Sequence, residues 1–292
     1  MKVFVTGASG FVGTALLPRL VAAGHEVVGL ARSDASAAAV EAAGAAPLRG
    51  DLDDLDTLRD GAAASDGVVH LAYRHDFADV DAAVRTDRAA IDAIGSALAG
   101  SGRTFVIASG TPIVPGRPSV EADDPEDGLL AARLETARRF LALSERGVRT
   151  TSVRLPRTVH DDLGRGGFAG MLVQIAQQAG VSGYVGDGAA RWPAVHVADA
   201  ARLFQVALEK GPARGVLHAV DEEGITLLDT ATAIGRALDL PVREVAADSL
   251  GFLGALAAVD QPASSAWTRE QLGWAPSGRG LLDALGQARS AV

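Results

Sequence analysis

Short apolar runs alternate with longer stretches of helical periodicity over the first half of the chain. The runs that predict β-strands are residues 2–6, 26–31, 46–50, 67–72, 104–109 and 149–155. Their apolar positions are consecutive rather than alternating, which is typical of strands buried on both faces of a parallel sheet. Helices are predicted between them, from Phe11 onward and at 82–99 and 129–145. This order predicts right-handed βαβ units and an α/β fold with a doubly wound parallel sheet.

The strict alternation of strands and helices stops after residue 156. A helix is expected near 168–179, and the tail from residue 225 is predicted to be mostly helical. We therefore expect a core formed by residues 1–165 with 192–220 returning to it. Residues 166–191 and 221–292 would form a small, mostly helical C-terminal lobe that binds the substrate.

Composition and charge exclude several classes of function. The 292 residues include no cysteine, so disulfides and thiolate metal sites are ruled out. The net charge of −9 and the lack of a basic run argue against a nucleic-acid partner. The longest uncharged stretch, 166–186, contains three glutamines and predicts a core helix rather than a membrane span. Without a secretory signal pattern at the N-terminus, we expect a cytoplasmic protein with a small-molecule substrate.

Three glycines follow the first predicted strand in the stretch "TGASGFVG". Gly7 would permit a tight turn, Gly10 would let backbone amides approach a pyrophosphate, and Gly13 would allow the helix to pack closely on the strand. The start of the following helix offers unpaired N–H groups and a positive dipole end to phosphates. The spacing and its position therefore predict a dinucleotide site.

The end of the second strand indicates which dinucleotide is bound. An acidic residue there would accept from the ribose 2′-hydroxyl of NAD, whereas an arginine would pair with the 2′-phosphate of NADP. The sequence places Arg32 and Ser33 at this turn and delays the acid to Asp34. NADP is therefore preferred over NAD. Asp51, which follows the third strand in "GDLDD", is interpreted as an adenine contact.

Several motifs together resemble a known family. "TGASGFVG", "GDLDD", "VVHLA", "FVIASG", "SVRLPRTVH", "WPAVHVADAARL" and "REQLGWAP" occur in the order typical of extended short-chain dehydrogenases/reductases, the relatives of sugar-nucleotide epimerases and dehydratases. The resemblance covers nearly the whole chain. It implies a Rossmann core with a small C-terminal substrate lobe, and a homodimer formed through helices beside the sheet.

The resemblance also implies roles for particular residues. The pyrophosphate would lie against the glycine loop, which consists of Thr6, Gly7, Ala8, Ser9, Gly10, Phe11, Val12 and Gly13. Asp51 and Leu52 would border the adenine. Leu71, Ala72 and Tyr73 would border the ribose nearer the nicotinamide, with Pro156 and Val159 beside the nicotinamide itself. His196 and Asp199 would belong to the helix start that joins the two lobes, where a packing role is expected for Asp199.

The catalytic pair typical of the family is missing from its expected position. Members usually carry Tyr-x-x-x-Lys in the helix after the fifth strand, where the lysine lowers the pKa of the tyrosine. The only lysines here are Lys2 and Lys210, and the alignment places Leu129 and Arg133 at the two positions. The chain therefore resembles atypical members of the family that keep the cofactor site. Arginine keeps the positive charge, but leucine cannot transfer a proton.

Replacement catalytic groups are sought at the carboxyl ends of the strands, where ligands bind in such sheets. Tyr73 and His75 follow the fourth strand, and Ser109 and Thr111 follow the fifth, where the family's hydroxyl residue binds a substrate oxygen. His75 is the preferred acid or base among the histidines. The remaining candidates would line the substrate pocket: His160, Phe168, Tyr184 and Trp192. Core packing explains the aromatic residues equally well.

Three functions remain open on the sequence. The first is an NADP-dependent oxidoreductase that acts on a small carbonyl or alcohol with a non-standard proton donor. The second is a non-catalytic protein that senses or binds NADP(H), and the third is an epimerase or isomerase that retains its cofactor. His70, His25 and His218 are interpreted as structural, and no metal site is expected because the histidines show no paired spacing.

Overall fold

Strands and helices alternate through the first half of the chain in the computed structural model, which describes residues 1–74, 79–126 and 131–287. The strands are β1 (Lys2–Thr6), β2 (Glu26–Ala31), β3 (Ala46–Arg49), β4 (Gly67–His70), β5 (Thr104–Gly110) and β6 (Arg149–Leu155). The helices are α1 (Phe11–Ala22), α2 (Asp34–Ala42), α3 (Leu55–Ala63), α4 (Val80–Leu98) and α5 (Ala131–Ala142), which continues as a 3-10 turn (Leu143–Arg146). Gly147 ends that turn in the left-handed conformation.

The second half mixes shorter strands with helices. The strands are β7 (Thr158–His160), β8 (Ser182–Tyr184), β9 (Arg191–His196), β10 (Arg214–His218), β11 (Glu222–Thr226) and β12 (Val242–Glu244). The helices are α6 (Gly167–Ala179), α7 (Val197–Lys210), α8 (Leu227–Leu238), α9 (Leu253–Ala257), α10 (Ala266–Leu272) and α11 (Leu281–Leu285), with a second 3-10 turn (Ala247–Leu250).

Seven strands form a central parallel sheet in the order β10-β6-β5-β4-β1-β2-β3. The chain leaves β3 at one edge and returns beside β1 as β4, so the strand order reverses between β1 and β4. Ligands of doubly wound sheets bind outside the carboxyl ends of the strands at such a reversal. The sheet therefore places the glycine loop after β1 next to the segment after β4.

The described fold divides into two compact units. The first comprises Met1–Ser109, Leu129–Arg154 and Ala201–Leu217, and the second comprises Gly110–Gly128, Leu155–Ala200 and His218–Val292. In the first unit, Phe4, Val68 and Phe105 of the sheet pack with buried residues of α3, α4 and α5. The Phe105 and Phe140 rings meet edge to face with centroids 5.0 Å apart.

The second unit has its own small sheet and its own core. β9 lies between β7 and β11, pairing in parallel with β7 and antiparallel with β11. Its apolar core includes Trp192 and Ala194 of β9 together with residues of α6, α8 and α11. The sequence did not predict β7 or β9, because β7 has only three residues and β9 contains Pro193.

Within the described part of the chain, no helix combines the length and apolar character that a membrane span requires.

Candidate functional site

Close approaches between backbone segments shape the glycine loop. Gly7 adopts a φ of +67°, and a Cβ built on it would lie 2.6 Å from the backbone nitrogen of Ala72. A Cβ on Gly13 would lie 2.2 Å from the carbonyl oxygen of Gly7. Side chains at either position would overlap backbone atoms, so glycine is required at both. The loop, the start of α1 and the segment after β4 therefore pack against one another through their backbones.

The start of α1 leaves its amides available to an anion. Gly10 is the N-cap and supplies no side chain to cap the helix, and Ser9, Gly10 and Phe11 are exposed. The first N–H groups of a helix have no partner within the helix, and they attract phosphate when no side chain satisfies them. The absence of a Cβ at Gly10 leaves room for a phosphate to approach. The loop thus fits the pyrophosphate of a dinucleotide.

An exposed arginine follows β2. Arg32 has no hydrogen bond or ion pair to any described residue, whereas Ser33 is engaged as the N-cap of α2 in a capping box with Ser36. Asp34 forms an ion pair with Arg49 at 3.0 Å. Arg49 lies opposite Ala31 in the register of β2 and β3, one residue before Arg32. The acid nearest to Arg32 in the sequence is therefore already paired with Arg49, and Arg32 is left without an acidic partner among the described residues.

Asp51 organises the turn after β3. Its Oδ1 accepts hydrogen bonds from the backbone nitrogens of Asp53 and Asp54 at 2.8 and 3.2 Å. Leu52 is buried beside the core of the first unit. These two hydrogen bonds within the turn occupy one carboxylate oxygen of Asp51. The adenine contact predicted for Asp51 and Leu52 stays a prediction.

A buried chain of hydrogen bonds links the glycine loop to α4. The backbone nitrogen of Ala72 donates to Thr6 Oγ1 at 3.3 Å, and Thr6 Oγ1 lies 2.7 Å from His70 Nδ1. His70 Nε2 lies 3.1 Å from Asp87 Oδ1. An ionised carboxylate only accepts, so a neutral His70 ring with its proton on Nε2 donates to Asp87 and accepts from the Thr6 hydroxyl at Nδ1. The chain holds the end of β4 against β1, which agrees with the structural role predicted for His70.

Tyr73 and Arg133 are in direct contact. The guanidinium carbon of Arg133 lies 3.8 Å from the centroid of the Tyr73 ring, which is a cation–π contact. Burial raises the pKa of Tyr73 above its ordinary value, although the charge of Arg133 acts in the opposite direction. Sequence reasoning proposed both residues but from unrelated elements, one after β4 and one on α5. The fold places them together beside the end of β4.

Ser109, near the end of β5, and Thr111, directly after it, are buried and hydrogen-bonded. Ser109 Oγ lies 2.8 Å from Ser152 Oγ in the neighbouring β6. The carbonyl oxygen of Thr111 accepts from the Gln261 side chain at 2.6 Å. Their predicted roles toward a substrate oxygen remain predictions.

His160 at the end of β7 is buried and only partly satisfied. Its Nδ1 lies 3.0 Å from the carbonyl oxygen of Asp161, and its Nε2 has no partner among the described residues. Burial lowers the pKa of His160, and the neighbouring His196 ring, whose centroid is 5.5 Å away, acts in the same direction. Pro156 and Val159 are buried on either side of Arg157 in the same segment.

Of the aromatic residues predicted to line the pocket, Phe168 and Trp192 are in contact with each other, and Tyr184 lies at the end of β8. The ring centroids of Phe168 and Trp192 are 5.9 Å apart, as are those of Phe168 and Phe252. Tyr184 is half-buried at the end of β8, beside Gly188. Phe168 and Trp192 thus lie together, and both belong to the core or pack on it.

Asp199 caps a turn within the second unit. Its Oδ2 accepts from the backbone nitrogens of Ser277 and Gly278 at 2.9 and 2.6 Å, and its carbonyl oxygen accepts from the indole of Trp274. This agrees with the packing role that was expected for it.

Two predicted residues, His75 and Leu129, lie outside the described residues. Sequence reasoning missed Asp87 and Arg157. Asp87 occupies a position on the apolar face of α4 between Val84 and Ile91, and a carboxylate there was a detectable sign of a buried partner. The described residues contain no cluster of three or more acidic, histidine or cysteine side chains that could hold a metal.

The sheet and the glycine loop define a class of protein. A parallel sheet of order 3-2-1-4-5-6, with a glycine-rich turn opening a helix at the point of reversal, is a dinucleotide-binding α/β fold. Residues 3–218 match the family described as the NAD dependent epimerase/dehydratase family. The chain belongs to this family, whose members bind NAD or NADP.

Similar proteins span nearly the whole chain. An uncharacterized protein of Schizosaccharomyces pombe is 43% identical over 288 residues, covering 97% of each chain. A 4-hydroxy-2-methyl-3-oxo-4-farnesyl-3,4-dihydroquinoline-1-oxide ketoreductase of Stigmatella aurantiaca is 29% identical over 248 residues, covering 80% of this chain and 72% of its own. The UDP-glucose 4-epimerase of Thermus thermophilus, solved in complex with NAD, is 19% identical with a TM-score of 0.78 and covers 100% of both chains, which demonstrates a shared fold.

Proposed function

We propose that this protein is an NADP-dependent reductase of small carbonyl compounds, in which Tyr73 supplies the proton. The observation that carries the proposal is the contact between Tyr73 and Arg133 next to the glycine loop. A tyrosine with an adjacent cation is the kind of pair that the family usually builds from tyrosine and lysine. Here the tyrosine comes from the segment after β4 instead of from α5.

The residues of the first unit fit a dinucleotide. The glycine loop and the first turn of α1 would hold the pyrophosphate, and Leu71 and Ala72 would border a ribose. Arg32 has no ion-pair partner among the described residues, and Asp34 is paired with Arg49. A guanidinium without an acidic partner favours the 2′-phosphate of NADP over the free hydroxyl of NAD.

Tyr73 suits proton donation more than proton abstraction. When bound, NADPH would supply hydride to the carbonyl carbon of a substrate, and the carbonyl oxygen then needs a proton. Because burial raises the pKa of Tyr73, its hydroxyl stays protonated at neutral pH and can donate. The Arg133 guanidinium on the ring face stabilises the phenolate that remains. This direction favours reduction of a carbonyl over oxidation of an alcohol, and the ketoreductase among the relatives supports the same choice.

Nucleotide binding is tested by thermal unfolding with NADP⁺, NADPH, NAD⁺ and NADH. A ligand at a hundredfold excess over its Kd stabilises the folded state by about 2.7 kcal/mol. We expect the phosphorylated forms to raise Tm selectively, and Arg32→Ala to remove that selectivity. The matched control is Arg59→Ala, which changes another exposed arginine of the first unit, on α3. If none of the four nucleotides raises Tm, the proposal is wrong.

The proton donor is tested by NADPH oxidation with a panel of small aldehydes and ketones. Tyr73→Phe should lower kcat by about a hundredfold, the usual contribution of a positioned general acid. It should leave the nucleotide-dependent rise in Tm unchanged. Trp267→Phe, which changes an exposed aromatic residue of the second unit, should retain activity. Arg133→Lys should retain more activity than Arg133→Leu.

The other two functions predict different results. A sensor would bind NADP(H) and show no turnover with any substrate of the panel. An epimerase that retains its cofactor would convert a substrate without net NADPH oxidation. Equal activity of Tyr73→Phe and wild type would remove Tyr73 from the chemistry while leaving nucleotide binding intact.

A further inference from the structure

Side-chain donors without partners lie on neighbouring segments of the second unit. Arg157, which precedes β7, and Trp192 of β9 each have a buried nitrogen, Nη2 and Nε1, with no hydrogen-bond partner among the described residues. His160 Nε2 of β7 likewise has none, whereas His196 Nε2 of β9 lies 3.5 Å from Asp162 Oδ1. Buried polar atoms in folded proteins are nearly always hydrogen-bonded, so such a group of exceptions needs a physical explanation.

Arg157 carries a positive charge without a negative partner. Its Nη1 donates to the carbonyl oxygen of Leu256 at 3.0 Å and its Nε donates to Oε1 of Gln261, so both of these partners are neutral. Among the described residues no carboxylate pairs with it. Burial lowers the pKa of Arg157 to about 10, which still leaves it charged at neutral pH. A buried charge with only neutral partners is unfavourable unless an ion of opposite charge joins it.

Trp192 adds a second donor next to this cation. The indole is 3% exposed, and its N–H has no acceptor among the described residues. The guanidinium carbon of Arg157 lies 5.1 Å from the indole ring centroid. This contact offsets part of the cost of burying the arginine but leaves both the indole N–H and Nη2 without acceptors. Both unpaired groups are hydrogen-bond donors, so a ligand with an acceptor atom would satisfy them.

Gln261 fixes the orientation of the guanidinium. Its Oε1 accepts from Arg157 Nε, while its Nε2 donates to the carbonyl oxygen of Thr111 at 2.6 Å. The side-chain amide is therefore engaged at both ends, and the unpaired Nη2 edge of Arg157 is held in place. Arg157 is half-buried as a residue, but its Nη2 atom is itself buried, so a ligand that reaches Nη2 must displace part of the surrounding side chains.

We propose that Arg157 and Trp192 bind an oxyanion, carboxylate or phosphate, carried by an organic ligand with an apolar body. An oxyanion only accepts hydrogen bonds, matches the unpaired donors and neutralises the guanidinium. The apolar part would pack near Phe168 and Phe252, whose rings continue the cluster from Trp192. The identification of this ligand as the substrate rests on the proposed function. The binding of an oxyanion at Arg157 and Trp192 does not depend on nucleotide binding.

The binding experiment uses probes that differ only in charge or in the ring, and it is carried out without nucleotide. Phenylacetate and phenyl phosphate carry the two oxyanions, phenylacetamide is the neutral counterpart, and acetate lacks the ring. We expect one or both aromatic anions to raise Tm and to bind in isothermal titration, with phenylacetamide and acetate binding more weakly by about tenfold or more. The stronger of the two anions identifies carboxylate or phosphate as the group recognised.

Variants assign the binding to these side chains. Arg157→Gln should weaken binding of the anion by about tenfold or more, and Trp192→Phe, which removes the N–H and keeps an aromatic ring, should weaken it by about fivefold. Arg243→Gln changes an exposed arginine of the same unit and should leave the affinity unchanged. The comparison of the anion with the amide uses wild-type protein, so it tests recognition of the negative charge even if a variant does not fold.

Three results would overturn the inference. They are equal binding of phenylacetamide and phenylacetate, unchanged affinity in Arg157→Gln, or no binding of either aromatic anion at millimolar concentration. In that last case, water alone would satisfy the donors.

Turnover separates this inference from the proposed function. NADPH oxidation is measured with phenylglyoxylate and with its neutral amide, phenylglyoxylamide. Binding of the anions without oxidation of NADPH by phenylglyoxylate, its amide or any aldehyde or ketone of the panel would leave the oxyanion site standing and contradict the reductase. Faster turnover of the amide than of the acid would support the reductase and remove the oxyanion from its substrate.

Discussion

Single residues of the glycine loop combine two separate requirements. Gly7 needs a positive φ, and it also lies against the backbone of the segment after β4. Gly24 has a similar φ of +82°, but a Cβ built on it meets nothing within 4 Å. Substitution of Gly24 therefore measures the strain of a positive φ alone, whereas substitution of Gly7 adds steric overlap with the backbone of Ala72.

Replacement of Gly7 by alanine should be far more destabilising than replacement of Gly24. Gly24→Ala should lower the free energy of unfolding by about 1 kcal/mol, the usual cost of a left-handed alanine. Gly7→Ala should lower it by more than about 3 kcal/mol, because the methyl group overlaps backbone atoms of Ala72. Urea unfolding of both variants measures the difference. Equal losses would mean that the loop moves away from β4 at little cost.

At the scale of elements, helix starts are well encoded locally. Ser33 caps α2, Asp54 caps α3, and Thr226 caps α8 by accepting from the backbone nitrogen of Asp229 at 3.0 Å. A short polar side chain before a helix is visible in the sequence. The strands β7 and β9 were missed because each is stabilised by pairing with the other, and a run of three residues carries no periodicity.

The cap of α8 can be tested against a threonine inside the same helix. Thr226→Ala should lower the free energy of unfolding by about 1 kcal/mol, since it removes the acceptor of the Asp229 amide. Thr232 is exposed, and its hydroxyl donates to the carbonyl oxygen of Leu228 within the helix. Thr232→Ala should therefore change stability by less than about 0.5 kcal/mol. Chemical denaturation of both variants provides the comparison, and equal losses would exclude a capping role for Thr226.

At the scale of the whole molecule, stability toward acid depends on groups whose pKa values shift in opposite directions. Burial lowers the pKa of His160 below the ordinary value of 6.5, so the unfolded chain takes up a proton there before the folded protein does. The contribution of His160 to stability is thus lost as the pH falls below 6.5. Burial raises the pKa of Glu222, so its contribution is present at low pH and is lost as the pH rises.

Substitutions of His160 and Glu222 should therefore change the pH dependence of the free energy of unfolding in opposite ways. His160→Gln should reduce the loss of stability as the pH falls from 6.5 toward the range in which carboxylates titrate. Glu222→Gln should raise stability at pH 7 relative to acidic pH, because the buried charge is removed while an oxygen still accepts from the Leu281 amide. Urea midpoints across this pH range check both. If the urea midpoint of His160→Gln falls with pH as steeply as that of the wild type, His160 does not take up a proton on unfolding in this pH range.

The sequence by itself determined the parallel sheet, the glycine loop after β1 and the family. Consecutive apolar runs, a fixed spacing of glycines and the order of motifs are all local properties, so they can be detected without a structure. Tertiary structure decided which side chains meet. Tyr73 and Arg133 are far apart in the sequence and come into contact only through the strand order. The partners of Arg157 likewise come from distant segments, so its unbalanced charge becomes visible only when the neutral groups around it are known.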